Sequence, residues 1–383
     1  MALELRTHES IGEIAESDWT AVAGPGAPPF VAWRFLDVLE KTGCVRPARG
    51  WLPCHLSLRD GETLVAVAPA YIKGNSEGEF VFDQGWARFA IERLALDYYP
   101  KLIVAVPFTP ANGPRLMVRP GADRERVLHA FAGGLPEVVA KLGVSSAHVL
   151  FPREDEAVAL AKAGLVERHG LQYHWRNPGY ASFDEFLARF DSKHRNQIKR
   201  ERRGVRDDGL LVETLGPGEL GTESVDLLYE LYLSTVNKYF WGRQYLNRAF
   251  FEEACARLPE LLHVVVARDR SSRRAIAGAF NLIGGGALYG RYWGAREERR
   301  YLHFEVCFYH GIEECIRHGL SLFEPGAGGE HKVARGFEPT LTRSVHYLAD
   351  ERLHRAVVDF AAREREAIAS HLATEPSVLT PRP

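Results

Sequence analysis

The residues with the clearest chemical potential lie in one glycine-rich stretch, FEPGAGGEHKVARGF, residues 323–337. An acid, an imidazole and an ammonium follow one another there as Glu330, His331 and Lys332, and the guanidinium of Arg335 comes three residues later. Groups of different pKa on a flexible loop can accept, donate and hold protons, so they are candidates for acid–base catalysis. A charged loop of this kind is also typical of a solvated surface.

Further candidate groups lie upstream of this stretch. His303 and Glu305 begin a segment with helical periodicity, and Arg291, Tyr292 and Trp293 lie on the predicted strand before it. Strand alternation places Arg291 and Trp293 on one face and Tyr292 on the other. We list His303, Glu305 and Tyr292 as candidate catalytic groups. An acid at the start of a helix also has the ordinary role of complementing the helix dipole, and a strand tyrosine the ordinary role of a core residue.

A second concentration of charge lies in SKHRNQIKRERRGVRDDG, residues 192–209, which predicts a helix. Between positions 193 and 206 it has seven lysines and arginines and one glutamate. Several of the cations recur at spacings that give one helical stripe. Such a stripe suits a polyanion, namely tRNA, another nucleic acid or an acidic membrane surface, although charge runs are usually solvated helix faces. The candidate polyanion-binding residues are Lys193, Arg195, Lys199, Arg202, Arg203 and Arg206.

Four residues of the first half are weaker candidates for an acceptor groove between two domains. Lys73 and Lys101 supply ammonium groups, Asp83 a carboxylate, and Trp86 an aromatic surface. An aromatic residue such as Trp86 is more often part of the core, and Asp83, which lies near Gly85, suits a turn equally well.

Length and composition indicate a globular chain with room for two domains. The chain has 383 residues, a net charge of −2, 46% hydrophobic and 26% charged residues. No apolar run approaches the roughly 20 residues of a membrane span, and the acidic N-terminus is unlike a signal peptide. Five scattered cysteines without a CxxC pair predict neither disulfides nor a metal site, which fits a reducing cytoplasm. We expect Cys307 and Cys315 to be small core residues.

The order of predicted elements gives a mixed α/β fold built in two similar halves. Early strands form hairpins, one of them at the Asp60-Gly61 dipeptide, and later strands alternate with helices. Residues 79–89, EFVFDQGWARF, are predicted as a strand, and residues 303–319 as one amphipathic helix. The predicted domains are residues 1–180, an amphipathic and basic helical connector 181–209, residues 210–350, and a C-terminal helix and tail 351–383.

Several segments resemble one known family. They include GRYWGA (290–295), LHFEVCFYHGIE (302–313), the basic KHRNQIKRERR and FEPGAGGEHKVARGFEP. The chain from about Trp19 to about Leu348 is similar to the FemAB-like predicted N-acyltransferases of peptidoglycan biosynthesis or recognition, in the GNAT superfamily. The resemblance implies tandem GNAT-like domains. In that fold the strands before and after the last long helix splay apart, and the acyl donor enters the gap.

The resemblance also implies roles for residues in the glycine-rich stretch. Lys332, Arg335, Gly336 and Phe337 match the K-x-G-F stretch of FemAB proteins with one extra residue, where a lysine steadies the donor's carbonyl or phosphates. Arg335, Gly336, Phe337 and the strand residue Arg291 are therefore the predicted donor-binding residues.

One departure from the GNAT pattern bears on the identity of the acyl donor. GNAT enzymes that use acetyl-CoA carry a Q/R-x-x-G-x-G/A turn whose amides hold pyrophosphate at a helix N-terminus. Here the corresponding stretch is GAREERRYLHFE, in which arginines 296, 299 and 300 offer charge instead of glycine amides. FemAB-like proteins use aminoacyl-tRNA, which fits the missing turn.

The resemblance thus implies an acyltransferase that moves an aminoacyl group from aminoacyl-tRNA to an amine of a peptide, amino sugar or amino-acid-like acceptor. No covalent enzyme intermediate and no tightly bound cofactor are expected, and the sequence has no GxSxG motif. Two alternatives stay open. One is acyl-CoA as donor through an atypical grip; the other is a non-catalytic protein that binds a cell-wall precursor or nucleic acid.

Overall fold

The computed structural model describes residues 3–238, 243–374 and 378–379, and of Glu330 the backbone alone. These residues form two compact units. Unit 1 comprises Met1–Leu171 and Leu341–Thr374, and unit 2 comprises Gln172–Thr340 and Glu375–Pro383. The chain therefore builds most of unit 1, then unit 2, and returns to unit 1. The predicted connector 181–209 lies inside unit 2 and the C-terminal helix inside unit 1, so the predicted domain boundaries differ from these units.

Strands and helices alternate along the described chain. The strands are β1 (Glu4–His8), β2 (Trp51–Pro53), β3 (His55–Asp60), β4 (Thr63–Ala68), β5 (Ala70–Lys73), β6 (Lys101–Val104), β7 (Met117–Val118), β8 (Ser146–Leu150), β9 (Val166–Arg176), β10 (Leu210–Leu215), β11 (Leu262–Asp269), β12 (Ala275–Gly284), β13 (Ala287–Ala295), β14 (Leu322–Glu324) and β15 (Glu338–Leu348). The helices are α1 (Glu16–Ala23), α2 (Trp33–Lys41), α3 (Gln84–Leu94), α4 (Arg124–Leu142), α5 (Glu154–Lys162), α6 (Phe183–Leu187), α7 (Ser192–Asp207), α8 (Thr222–Val236), α9 (Arg248–Arg257), α10 (Leu302–Phe304), α11 (His310–Arg317) and α12 (Glu351–Thr374).

Unit 1 is built on two sheets. One has the order β1-β3-β4-β7, and the other runs β15-β8-β6-β5-β2 with β6 and β8 parallel. The predicted hairpin is confirmed, because β3 and β4 pair up to Asp60 opposite Thr63 across the tight turn. Their apolar side chains share a core with α4 and α5, in which Leu56, Phe131 and Val149 are almost fully buried.

The predicted strand 79–89 is wrong, because its second half is helix α3. Trp86, Ala87 and Ala90 lie at helical spacing and pack against Tyr98 and residues of α12. Burial of this stripe outweighs the strand preference of the aromatic run before it, since strand propensity depends strongly on packing. Asp83 consequently occupies the residue before a helix instead of the end of a strand.

Unit 2 is built on one mixed sheet with the order β10-β11-β12-β13-β14-β9. All neighbours are antiparallel except β13 and β14, which are parallel. Helix α8 packs on β12 and β13, and α7 packs on the segment between α10 and α11.

The parallel strands β13 and β14 separate after a short contact. They pair only from Ala287–Tyr289 to Leu322–Glu324, after which β14 ends while β13 continues to Ala295. At the point of separation a Cβ on Gly290 would lie 3.0 Å from the backbone of Pro325, so a side chain would crowd the chain leaving β14. The splayed strand pair expected from the family resemblance is therefore present.

The predicted helix 303–319 is confirmed with one irregularity. Five residues of π-helix, Glu305–Tyr309, join α10 to α11. A π-helical turn widens the helix by one residue and is frequent at functional sites. Cys315 is a core residue as expected, whereas Cys307 in the π-helical turn is only half-buried.

Candidate active site

Unit 2 contains a pocket of about 210 Å³ where β13 and β14 part. Its walls come from β12 and β13, from the helix that follows β13, and from the glycine-rich loop after β14. That volume is below the roughly 300–1,000 Å³ of pockets that enclose whole small ligands, so it suits the reacting end of a larger substrate. Five of the residues predicted from the sequence line it: Arg291, Tyr292, His303, His331 and Lys332.

Lys332 is the buried cation of the pocket. Its side chain lies on the short 3₁₀ helix Glu330–Arg335, and its ammonium donates a hydrogen bond of 2.6 Å to the carbonyl of Gly326. Among the described side chains it has no ion pair. Burial lowers the pKa of Lys332 to about 8, because the charged form loses hydration. Near neutral pH it is therefore a cation that gives up its proton more readily than an ordinary lysine.

Two imidazoles face each other across an aromatic patch. The rings of His303 and His331 have centroids 6.1 Å apart, and both contact the ring of Phe308. Burial, assisted by the neighbouring positive charges, lowers the pKa of His303 to about 4 and also lowers that of His331. Both rings are thus neutral near pH 7 and able to accept a proton. His331 is exposed, and its ring lies over Gly329, where a Cβ would approach its Cε1 to 2.7 Å.

A β-bulge sets the position of Arg291. Phe280 of β12 pairs with Tyr292, whereas the next residue, Asn281, pairs with Gly290, so Arg291 is an extra residue in β13. The predicted simple alternation is interrupted there, and Arg291, Tyr292 and Trp293 all line the pocket. Desolvation lowers the pKa of Arg291, whose guanidinium stays charged near neutral pH.

Glu330, one of four candidate bases beside His331, His303 and Glu305, has a side chain that lies outside the described part of the structure. Its backbone begins the 3₁₀ helix that carries Lys332. The carboxylate role assigned to Glu330 therefore stays a prediction.

Arg335 does not line the pocket; it holds the pocket loop in place. Its guanidinium forms hydrogen bonds of 2.9 and 3.2 Å with the carboxylate of Glu201 on α7, and its Nη1 donates to the carbonyl of His331 at 2.7 Å. It also stacks on Phe304, 3.4 Å from the ring centroid. The hydroxyl of Tyr309 donates to the same carboxylate. These contacts give Arg335 a structural role, and donor binding by Arg335 stays a prediction.

Gly336 and Phe337 are likewise structural. Gly336 has a φ of 84° and ends the 3₁₀ helix, and a Cβ there would clash with the rings of Phe186 and Phe190. Phe337 is buried against Phe308 and Phe323. Both shape the loop from beneath, and neither is among the described residues that line the pocket.

Glu305 and Arg202, predicted respectively as a catalytic group and a polyanion-binding residue, are instead paired with each other. Nη2 of Arg202 lies 2.9 Å from a carboxylate oxygen of buried Glu305 and also bonds Glu313 at 2.6 Å. Burial raises the pKa of Glu305, and the pairing opposes that effect. Arg202 points inward because it lies beside Ile198 and Val205, which form the face of α7 that packs on the rest of unit 2.

The other cations of α7 face solvent. Within the described structure none of them has a carboxylate within 4 Å, in contrast to Arg202 on the same helix and Arg335 on the pocket loop. All are exposed except Arg195, which is half-buried. The residues are Lys193, Arg195, Lys199, Arg200, Arg203 and Arg206.

The arginines that stand where a CoA-binding turn would be are largely occupied. Arg296 pairs with Glu230 at 2.7 Å, and Arg299 pairs with Glu297 at 2.8 Å. Arg300 is exposed and packs over the ring of Tyr301. Two of the three side chains are therefore engaged within the protein.

The four residues predicted to bind an acceptor form part of a buried cluster in unit 1. Lys101 is fully buried between Asp83 and Glu79, with 2.8 Å to the latter. Lys73 is also fully buried, 3.9 Å from the ring centroid of Trp51, and burial lowers its pKa to about 7. Asp83 accepts a bond from Tyr98, and burial would raise its pKa, but Lys101 lowers it to about 2.

Trp86, the fourth member of that set, is a core residue. Its ring packs at 4.8 Å from the ring of His346 and 4.9 Å from the guanidinium of Arg168. The acceptor-binding prediction for Lys73, Asp83, Trp86 and Lys101 is thus not matched by an open groove at these side chains, since each is at most 4% exposed.

Sequence reasoning missed three residues of the site. Cys307 lines the pocket because the π-helical turn rotates it outward, and burial raises its pKa so that it stays a thiol. Asn281 lines the pocket from the strand opposite the bulge. Glu201 is the lone acid between positions 193 and 206, and that isolation was the available signal that it faces inward.

Comparison with known proteins agrees with the family resemblance and the fold. The family model FemAB-like, described as peptidoglycan biosynthesis and recognition, matches residues 10–379. No curated protein sequence matches the chain significantly. Among the described residues, no helix has the length and apolar character needed to cross a membrane.

Solved structures share the architecture at low sequence identity. FemX is similar at 12% identity over 94% of this chain and 100% of its own, with a TM-score of 0.54. L-PGS from Bacillus licheniformis is similar at 9% identity over 86% of this chain and 95% of its own, with a TM-score of 0.52. A tandem GNAT protein from the clavulanic acid biosynthesis pathway aligns at 15% identity over 91% of this chain and 99% of its own, with a TM-score of 0.44.

These likenesses concern the fold alone, a mixed α/β architecture that this chain shares with FemX and L-PGS. The family match covers nearly the whole chain, including the pocket in unit 2 and the loop that carries Lys332. The chain therefore belongs to the FemAB-like family of peptidoglycan biosynthesis and recognition.

Proposed function

We propose that the protein is an N-acyltransferase that moves an aminoacyl group from aminoacyl-tRNA to an amine acceptor, with the reaction in the pocket of unit 2. Family membership and the GNAT-like fold support acyl transfer. The observation that carries the proposal is the pocket at the splayed strands, where Lys332 and two neutral histidines converge. Because aminoacyl-tRNA is made in the cytoplasm, the reaction belongs there.

The proposed chemistry is a direct displacement. The acceptor nitrogen attacks the ester carbonyl of the donor, a C–N bond forms, and the C–O bond to the tRNA ribose breaks. The neutral imidazole of His331 or His303 takes the proton of the amine, and the ribose hydroxyl leaves with a proton. The ammonium of Lys332 stabilises the negative charge that develops on the carbonyl oxygen.

The state of Cys307 supports a mechanism without an acyl-enzyme. A nucleophilic cysteine reacts as the thiolate, and burial raises the pKa of Cys307 far above neutrality. An amine held beside the ester needs no covalent relay, since contact and orientation alone supply a large share of the rate.

Helix α7 supports tRNA as the donor. Its solvent face carries six cations with no described carboxylate partner, as set out above, and the 3₁₀ helix that carries Lys332 packs directly on α7. A nucleic acid held by these cations would release counterions, which gives affinity that falls steeply with salt. The occupied arginines Arg296 and Arg299 and the missing glycine turn weigh against a CoA grip.

The test is a transfer assay with tRNA charged with labelled amino acids, purified protein and a fractionated extract as the source of acceptor. We expect a new labelled amide that resists mild base, whereas the ester of the donor hydrolyses. Transfer from acyl-CoA but not from charged tRNA would show that acyl-CoA is the donor. Binding of an extract component without transfer from either donor would favour a recognition protein.

A further inference from the structure

Among the described side chains that line the pocket of unit 2, the charged ones are all cations. Arg291 and Lys332 bring two cations to its wall, and the lining residues whose side chains are described include no aspartate or glutamate. The other polar side chains that line the pocket, among them the imidazoles of His303 and His331 and the amide of Asn281, are neutral near pH 7.

Neither cation is neutralised by a partner in the described structure. Lys332 bonds only the carbonyl of Gly326, a dipole without net charge. Arg291 lies over the ring of Tyr292, 5.5 Å from its centroid, and hydrogen-bonds the side chain of that residue, but none of the described carboxylates lies within 4 Å of it. The carboxylate of Glu324, at the end of β14, also attracts the guanidinium of Arg291. Two desolvated cations without counter-charges favour a ligand that brings one.

We infer that the ligand group seated in this pocket carries a carboxylate, which the guanidinium of Arg291 clamps while Lys332 attends the reacting carbonyl. A planar guanidinium matches both oxygens of a carboxylate with two parallel hydrogen bonds. The bulge in β13 presents Arg291 to the pocket at the level of Tyr292, beside the loop of Lys332. The acceptor class is then an amine with a neighbouring carboxylate, that is, an amino acid or a peptide with a free acid close to its amine.

The same charge pattern excludes a ligand group that places an ammonium beside these two cations. An ammonium group seated beside Arg291 and Lys332 would be repelled, since like charges interact strongly in a desolvated site. The α-ammonium of the donor's aminoacyl group must therefore lie away from Arg291, on the solvent side of the pocket. This inference rests on the proposed function only for calling the acid-bearing molecule the acceptor.

The binding test uses a matched pair of product analogues, N-acetyl-L-alanine and N-acetyl-L-alaninamide, titrated calorimetrically near neutral pH. The two differ only in the charged group. We expect the acid to bind at least about tenfold more tightly than the amide, which corresponds to one charge-assisted contact. Arg291→Gln should abolish this preference, and Arg291→Lys should keep part of it.

Two controls make the result decisive. Arg363→Gln removes an exposed arginine of α12 that forms no ion pair with the described residues, so it should leave the preference unchanged; melting curves establish that each variant is folded. Equal affinities for acid and amide, including no binding of either, overturn the inference, as does a preference that survives Arg291→Gln. If inorganic phosphate displaced N-acetyl-L-alanine at a lower concentration than acetate does, the inference that the ligand group is a carboxylate would be overturned. Failure of transfer from charged tRNA overturns only the proposed function.

Discussion

Glu201 on α7 and Arg335 on the pocket loop form a buried two-pronged ion pair, with Nη2 of the arginine 2.9 Å from both carboxylate oxygens. Both residues are at most 4% exposed. The pair is completed by the hydroxyl of Tyr309, by the amide of Gln197 at 3.0 Å, and by the ring of Phe304 beneath the guanidinium. It fastens the loop that carries Lys332 to the helix whose outer face is basic.

Breaking this pair should destabilise the protein strongly. Glu201→Gln leaves Arg335 charged in a dry site, and removing one partner of a buried pair costs about 3–5 kcal/mol. Urea unfolding measures the change in the free energy of unfolding. The matched control is Arg248→Ala, which breaks an exposed pair with Asp226 and should cost at most about 1 kcal/mol. A Glu201→Gln variant as stable as the control would contradict the structural role.

Activity should depend on Lys332 in its charged form. Because the pKa of Lys332 is lowered from 10.5 to about 8, its ammonium is present below pH 8 and is lost as the pH rises through that value. We expect kcat to fall above about pH 8 and Lys332→Met to lower it by about 10²–10³-fold. Lys332→Arg should shift the alkaline limb upward, since a guanidinium does not deprotonate there. A rate that increases through pH 8 would show that the neutral amine is the active form.

The outer face of α7 should carry the affinity for tRNA. The triple variant Lys199→Ala, Arg203→Ala and Arg206→Ala removes three cations, so the slope of log affinity against log salt should decrease in magnitude by about 2–3. Filter binding over a salt series gives the slope.

The control for that variant removes equal charge from unit 1. Arg88, Arg93 and Lys141 are exposed, and their joint replacement by alanine should leave the slope unchanged. If the two triple variants lowered the slope equally, the affinity for tRNA would depend on net charge and not on the outer face of α7.

The buried cluster of unit 1 should matter for stability. Lys101→Met leaves the carboxylates of Glu79 and Asp83 without their cation, and we expect a loss of about 3–5 kcal/mol. Chemical unfolding monitored by tryptophan fluorescence measures it. A neutral result would mean that both acids take up protons without cost once the ammonium is gone.

Cys307 should not become acylated. Acid-quenched reaction mixtures analysed by mass spectrometry should show an unmodified peptide around this residue during turnover, because its thiol is protonated near neutral pH. A labelled thioester at Cys307 would replace direct displacement by a two-step mechanism.

The spacing of apolar residues was sufficient to predict most helices and strands, but it failed where tertiary packing determined the secondary structure. The long helix after β13 and the β3–β4 hairpin follow from local patterns. The stretch 79–89 shows the limit: its aromatic alternation favours a strand, yet burial of Trp86 and Ala90 against α12 makes helix α3. The partner surface lies more than 250 residues further along the chain, beyond the reach of a local pattern.

The sequence by itself determined the family, the glycine-rich loop with His331 and Lys332, and the basic character of α7, because these depend on residue types and short spacings. Only the tertiary structure decided which charges face one another. Arg202 and Arg335 carry the same group as their exposed neighbours, but partners distant in the chain, Glu305 and Glu201, turn them inward. The availability of a charge depends on those distant contacts, and sequence spacing does not encode them.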